Sequence, residues 1–171
     1  MELTEVLARR RSTRRFKPLP IPEADLEKLL FALQRAPTDA SAQLYSVIRV
    51  QDPTLRDQVA RLSGDQEHIR QAAEFFVFLA DVHRLERLLA HRGERMARWP
   101  RTALHFAILD AGIAASYLAL TAEALGYGVC FIGGVLNGIE ALIPLLELPP
   151  GVLPVVGLAV GVPDEEGPPR P

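Results

Sequence analysis

The run Arg10-Arg11-Ser12-Thr13-Arg14 gathers guanidinium forks and hydroxyls where a short helix is expected to hand over to extended chain. Planar forks, a hydroxyl and backbone N–H groups not used by a helix suit a phosphate monoester. The same run also fits a solvated face that complements the negative end of a helix dipole. A second group, Gly126-x-Gly128-x4-Gly133-Gly134, is rich in glycine. It differs from the dinucleotide fingerprint, in which G-x-G-x-x-G follows a strand and opens a helix. Here the glycines end a helix and flank a strand. Gly133-Gly134 permits close backbone approach to a flat ligand, and it equally fits a plain tight turn.

Other chemistries lack carriers. His68, His83, His91 and His105 show no metal-ligand spacing with Cys130, so no metal site is expected. There is no G-x-S-x-G or phosphate-loop pattern, and Cys130 lies in an apolar strand context where a thiol is ordinarily inert. A phosphate-like site without a catalytic side-chain signature points to a cofactor that carries the reaction.

The elements that position these groups follow from periodicity. Helices are expected over Leu3–Arg11, Pro22–Gln34, Pro53–Leu62, Glu67–Ala73, Arg84–Arg98 and Gly138–Leu146, with a long one over Thr102–Leu125. Short strands are expected at Tyr45–Val50, Phe75–Ala80, Val129–Ile132 and Leu153–Val160. Phe75–Ala80 is continuously apolar, as in a strand covered on both faces. The long helix carries Ala107, Ala111, Gly112, Ala114, Ala115, Ser116 and Ala119, more small surface than one subunit is expected to need, so a partner helix is expected to cover it. The pattern is α+β: few strands wrapped by helices.

The chain has 171 residues, 49% hydrophobic and 23% charged, which fits one ordinary domain over 1–171 rather than a disordered chain. Its net charge of −2 gives no general reason to expect nucleic acid or an anionic membrane as partner. The charge is nevertheless uneven: residues 1–17 net +4. The longest uncharged stretches, Ala124–Ile139 and Leu148–Pro163, are broken by Gly, Asn and Pro, so no spanning helix is expected. The start Met1-Glu2-Leu3-Thr4-Glu5 shows no leader pattern, and one cysteine fits a reducing compartment. A cytoplasmic protein is expected.

Taken in order, several segments resemble the FMN-dependent nitroreductase and NAD(P)H-flavin oxidoreductase family. Arg10 to Phe16 is similar to its R-x-S-x-R-x-F opening, and Ala36-Pro37-Thr38-Asp39-Ala40-Ser41-Ala42-Gln43 to its A-P-S-S-x-N-x-Q loop. Leu109–Gly128 resembles its central helix, Phe131-Ile132-Gly133-Gly134 and Gly161-Val162-Pro163 its late motifs, and Gly64-Asp65-Gln66 the NADPH-linked branch. The resemblance implies a nitroreductase-like fold with a central mixed sheet and a long helix at a dimer interface. It implies FMN as cofactor and NADH or NADPH as co-substrate. Nitroaromatics, quinones or flavins would be the small-molecule acceptors, reduced by ping-pong hydride transfer with no obligatory catalytic side chain.

By the same resemblance Arg10, Arg11, Ser12 and Arg14 hold the FMN phosphate and ribityl chain, with Arg170 returning to the phosphate. Gln66 approaches the ring, and Ile132, Gly133 and Gly134 lie along its face and edge. Pro37, Thr38, Asp39 and Ser41 reach the flavin of the partner in a homodimer with interface sites. Asp39 stands where relatives carry a small hydroxyl, and Pro168 where the narrower branch carries Lys. A non-catalytic flavin-binding dimer or redox sensor, or a specialised flavin reaction such as reductive dehalogenation, stays open as an alternative.

Overall fold

The computed structural model describes residues 2–96 and 100–165. Seven helices and four strands run in the order α1 (Leu3–Arg9), α2 (Glu23–Gln34), β1 (Tyr45–Arg49), α3 (Pro53–Leu62), α4 (Glu67–Gln71), β2 (Glu74–Asp81), α5 (His83–His91), α6 (Pro100–Ala124), β3 (Gly128–Ile132), α7 (Ile139–Leu145), β4 (Val152–Gly161). Two single 3₁₀ turns, Asp39–Ser41 and Gly133–Leu136, fall where only loops were expected. The expected charged helix over Arg84–Arg98 stops at His91, where Gly93 takes the left-handed conformation (φ 75°) that ends helices.

The sheet order is β1-β2-β4-β3, and every strand pair is antiparallel. The parallel component of the expected mixed sheet is confined to one bridge, between Ser12 and Val129. All eight residues of β2 are buried, because both faces of the sheet are covered. Alternation along β2 sends Phe76 and Phe78 to one face and Phe75, Val77 and Leu79 to the other. The first face packs on α2 and α6, through Leu26, Leu29, Ala111, Ala115 and Leu118. The second packs on α3, α4 and α7, through Val59, Ile69 and Leu142. Burial of each such Phe or Leu contributes roughly 1.5–3 kcal/mol.

The small-residue face of α6 corrects the expectation of a partner helix over it. Ala111, Ala114, Ala115 and Ala119 are buried within this chain, where their size lets α6 approach the sheet and α2 closely. The outward face instead carries Ile108 (45% exposed), Leu109 (48%), Ile113 (36%) and Tyr117 (41%). By length and composition Arg101–Ala124 is apolar enough to cross a membrane, a property that a core helix shares. Its inner face is here the core over the sheet.

Candidate functional site

Past α1 the chain runs along the outer edge of β3. Ser12 bridges Val129, and the Thr13 N–H donates to the Val129 carbonyl at 2.8 Å. Phe16 then pairs with Pro163, and the Lys17 N–H donates to the Val162 carbonyl at 2.8 Å. The arginine run is therefore stitched between β3 and the chain leaving β4. Thr13 is buried against Gly128, which has no side chain to obstruct it.

Within this run the side chains part. The Arg14 N–H donates to Glu165 Oε1 at 2.6 Å, while the Arg14 guanidinium hydrogen-bonds no described residue. The Arg11 guanidinium donates to the Glu165 carbonyl, and the Arg11 backbone lies close enough to the Glu123 carboxylate to favour its charged form. Arg10 lies near enough to Glu123 to stabilise its charged form, and Ser12 is half-buried. Arg14 is also felt by two groups beneath it. Burial first, then the Arg14 charge, push the His68 pKa below the usual imidazole value, and burial pushes the Cys130 thiol up.

A ledge lies at the C-terminal end of β3. The turn before α4 places Gly64 (φ 86°) and Asp65 (φ 54°) in the left-handed region. Arg70 fixes this turn from α4, at 2.5 Å from Asp65 and 2.7 Å from Asp57. Gln66 Nε2 donates to the Ser63 carbonyl at 2.5 Å. A Cβ on Gly134 would lie 2.3 Å from that carbonyl oxygen and 2.5 Å from Gln66 Nε2, so only glycine permits this approach. A Cβ on Gly133 would meet nothing within 4 Å. Gly133 is thus open on the side where a Cβ would stand, beside Gly134, which is packed against Gln66 and the Ser63 carbonyl. Ile132 differs from expectation: strand alternation turns its side chain into the core (1% exposed), leaving only its backbone toward any ligand, and Phe131 points outward.

The loop carrying Pro37, Thr38, Asp39 and Ser41 is elsewhere. It precedes β1, at the opposite sheet edge from β3, three strand spacings or about 14 Å away. Pro37 and Ser41 are exposed, Thr38 and Asp39 half-buried. Ala40 (φ 47°), Ser41 (φ 57°) and Gln43 (φ 52°) are left-handed, a strain of roughly 1–2 kcal/mol each. Asp110, buried on α6, holds this shape: its carboxylate accepts the Asp39 N–H at 3.0 Å and the Leu44 N–H at 3.1 Å.

One chain therefore brings together Arg10, Arg11, Ser12, Arg14, Gln66, Gly133 and Gly134 around β3, and leaves Pro37, Thr38, Asp39 and Ser41 apart. Arg170 lies outside the described residues. A groove of about 590 Å³ beside β1, lined by Tyr45, Arg49 and Arg84, contains none of the expected residues. Its Arg49 is engaged with Glu74 at 2.6 Å, and its Arg84 with the Gln43 carbonyl. Sequence reasoning missed Asp110, Glu123 and Glu165. The first two had a signal: each stands on the inward register of α6, Asp110 three residues after Ala107 and Glu123 four after Ala119, where an acid demands a partner. Glu165 had none, since it acts through a chain reversal that no local pattern encodes.

The sequence model of the nitroreductase family matches residues 7–162. Among curated proteins, the chain is 34% identical over 161 residues to an FMN reductase (NADPH) of Bacillus subtilis, covering 93% of this chain and 65% of that protein. It is 35% identical over 159 residues to an oxygen-insensitive NADPH nitroreductase of Salmonella typhimurium, again covering 93% and 65%. The chain thus spans about two thirds of the length of these relatives. Among solved structures, the NfrA1 nitroreductase from B. subtilis superposes with a TM-score of 0.95 at 31% identity, over 99% of this chain and 70% of that one. An NADPH:FMN oxidoreductase from Vibrio harveyi, complexed with NAD+, gives 0.92 at 29% identity, over 99% and 72%.

Proposed function

The chain belongs to the nitroreductase family, and from that premise we propose that it is an FMN-dependent NAD(P)H oxidoreductase acting on small electrophilic acceptors. The observation that carries the reading is the open face of Gly133, next to Gly134 and Gln66, on the same sheet edge as Arg10 to Arg14. FMN fits this pairing. Its flat ring needs a surface without side chains, which Gly133 offers, and its phosphate needs forks such as that of Arg14, which bonds no described residue. FMN when bound supplies the hydride chemistry, accepting from NAD(P)H and passing electrons to the acceptor.

The chain's own residues bind and orient. Arg10 and Arg14 would hold the phosphate, with Ser12 on the ribityl side and Arg170 joining them from the tail. Arg11 acts as a strut to Glu165, with the part of its surroundings near the ribityl chain as its contribution. Gln66 would meet the ring edge, its amide oriented by the Ser63 carbonyl. Gly133, Gly134 and the Ile132 backbone would lie under the ring. NADPH is the favoured reductant, by the names of the relatives.

We propose a homodimer, and two observations support it. The outward apolar face of α6, Ile108, Leu109, Ile113 and Tyr117, needs cover. The loop with Pro37, Thr38, Asp39 and Ser41 lies too far from the β3 edge to serve its own chain's site, so a second copy would supply it. On this reading residues 1–171 act as one FMN-binding domain, and the single buried Cys130 fits the cytoplasm. The test is a visible spectrum of the purified chain after incubation with FMN, followed by NADPH consumption with a quinone or nitroaromatic acceptor. Bound flavin with acceptor-dependent turnover is expected. A chain that retains no flavin after excess FMN overturns the proposal.

A further inference from the structure

Glu123 sits on the last turn of α6, facing the back of the arginine run across a cavity of about 220 Å³. Its Oε2 is buried with no hydrogen-bond partner among the described residues, and the Arg11 backbone beside the carboxylate favours its charged form. From this geometry we infer that Glu123 is a positioning residue that couples phosphate-ester binding on Arg10–Arg14 to the uptake of a proton at its Oε2. The inference rests on the FMN reading above. A buried carboxylate behind a cation cluster is stabilised by those cations, here Arg10, and destabilised by lost hydration. A phosphate dianion seated on the cluster offsets that stabilisation and adds its own repulsion. The neutral acid then becomes the better state: a proton from solvent adds to Oε2, and the other oxygen still faces the Arg11 backbone.

The surroundings single out this group. Burial pushes the Glu123 pKa up to about 7, against the pull of Arg10 and the Arg11 N–H. The other charged or titratable residues lining the cavity are Arg9, Arg10, Arg11 and Tyr127. Burial, then the bond to Asp25, pushes Tyr127 up to about 12, so it stays neutral across the range of interest. His68, on the Arg14 side, is shifted downward by burial and by the Arg14 charge.

The sign follows from linkage. Proton uptake on binding makes affinity fall as pH rises above about 7, by at most tenfold per pH unit for one proton, and leaves it flat where Glu123 is already protonated. The FMN phosphate loses its second proton near pH 6, so its own titration adds little above pH 6.5 and is common to every variant. The test measures FMN dissociation constants by flavin fluorescence from pH 6.5 to 8.5, for wild type and Glu123→Gln, with riboflavin as the ligand lacking phosphate. Gln keeps an amide oxygen beside the Arg11 backbone and cannot ionise. Wild type is expected to weaken 3- to 10-fold per unit above pH 7, Glu123→Gln less than 2-fold, and riboflavin to be flat with both. Calorimetry of wild type alone, in buffers of different ionisation heat at pH 7.5, is expected to show uptake of about half a proton per FMN, which keeps the test independent of the variant's folding. Equal slopes in the two proteins, or zero proton uptake with FMN bound, overturn this inference alone. No FMN binding by wild type at any pH overturns it together with the cofactor reading.

Discussion

Thr13 fills the space that a side chain on Gly128 would need: a Cβ there would stand 2.5 Å from Thr13 Oγ1 and 2.7 Å from Thr13 Cβ. This contact seats the arginine run against β3, because the Thr13 N–H bonds Val129 in the same place.

Gly128→Ala should therefore lift the whole run off the strand. Overpacking of this kind costs roughly 1–3 kcal/mol, which for a chain of this size lowers Tm by roughly 2–4 °C per kcal/mol. FMN retention should fall further than the stability loss alone explains, since Arg14 moves with Thr13. Adding Thr13→Ala should recover little, because the 2.7 Å clash with Cβ remains. A Gly128→Ala protein with unchanged Tm and FMN affinity would refute the seating role.

The strand and helix pattern was legible because its signals are local. The continuous run Phe75–Ala80 became the fully buried β2, and the leucine spacing of 26, 29 and 33 became the inner face of α2. The site was legible in parts, through glycines that only a close approach requires, Gly128 and Gly134. What escaped depends on pairings across the chain. Glu165 meets Arg11 and Arg14 only after the chain reverses past β4. Ala115 carried no local sign that its small size served α2 and the sheet rather than a second subunit.

Asp110→Asn should loosen the loop before β1. An amide presents one acceptor and one NH2 group, so either the Asp39 or the Leu44 N–H would face a donor instead of the present 3.0 and 3.1 Å bonds. A buried N–H left without its acceptor costs about 1–3 kcal/mol, and the left-handed residues Ala40, Ser41 and Gln43 add strain that favours release. The expected outcome is a lower Tm, with limited proteolysis moving to residues 37–43. Cleavage kinetics identical to wild type would show that the loop keeps its shape without Asp110.

Ile113→Glu tests the homodimer. Ile113 lies between Leu109 and Tyr117 on the outward stripe of α6, away from the chain's own core. A single chain should tolerate the charge, since surface changes are usually within about 0.5 kcal/mol. In a dimer the carboxylate would be buried without a partner, and the association should weaken by several kcal/mol. Sedimentation at micromolar concentration should show a folded monomer that retains less flavin than wild type. A stable, flavin-loaded Ile113→Glu dimer would place the interface elsewhere.

Asp39 is expected to tune the flavin of the partner subunit. Its backbone N–H is committed to Asp110, but its carboxylate hydrogen-bonds no described residue, so the acid is not what shapes this loop. A neutral Ser would satisfy the same backbone. If the loop of one copy reaches the site of the other, the carboxylate opposes the negative charge of reduced anionic flavin. The repulsion is about 1 kcal/mol at 4 Å in water and larger where water is excluded. Asp39→Ser should then raise the FMN midpoint potential, by about 20 mV per kcal/mol for a two-electron couple. The gap should narrow at 1 M salt if the carboxylate is solvent-screened, since the screening length there is about 3 Å. Titration of both proteins against a reference dye, at low and high salt, measures it. Equal potentials at low salt would mean that this carboxylate lies beyond electrostatic reach of the ring, and that the loop serves the site by shape alone.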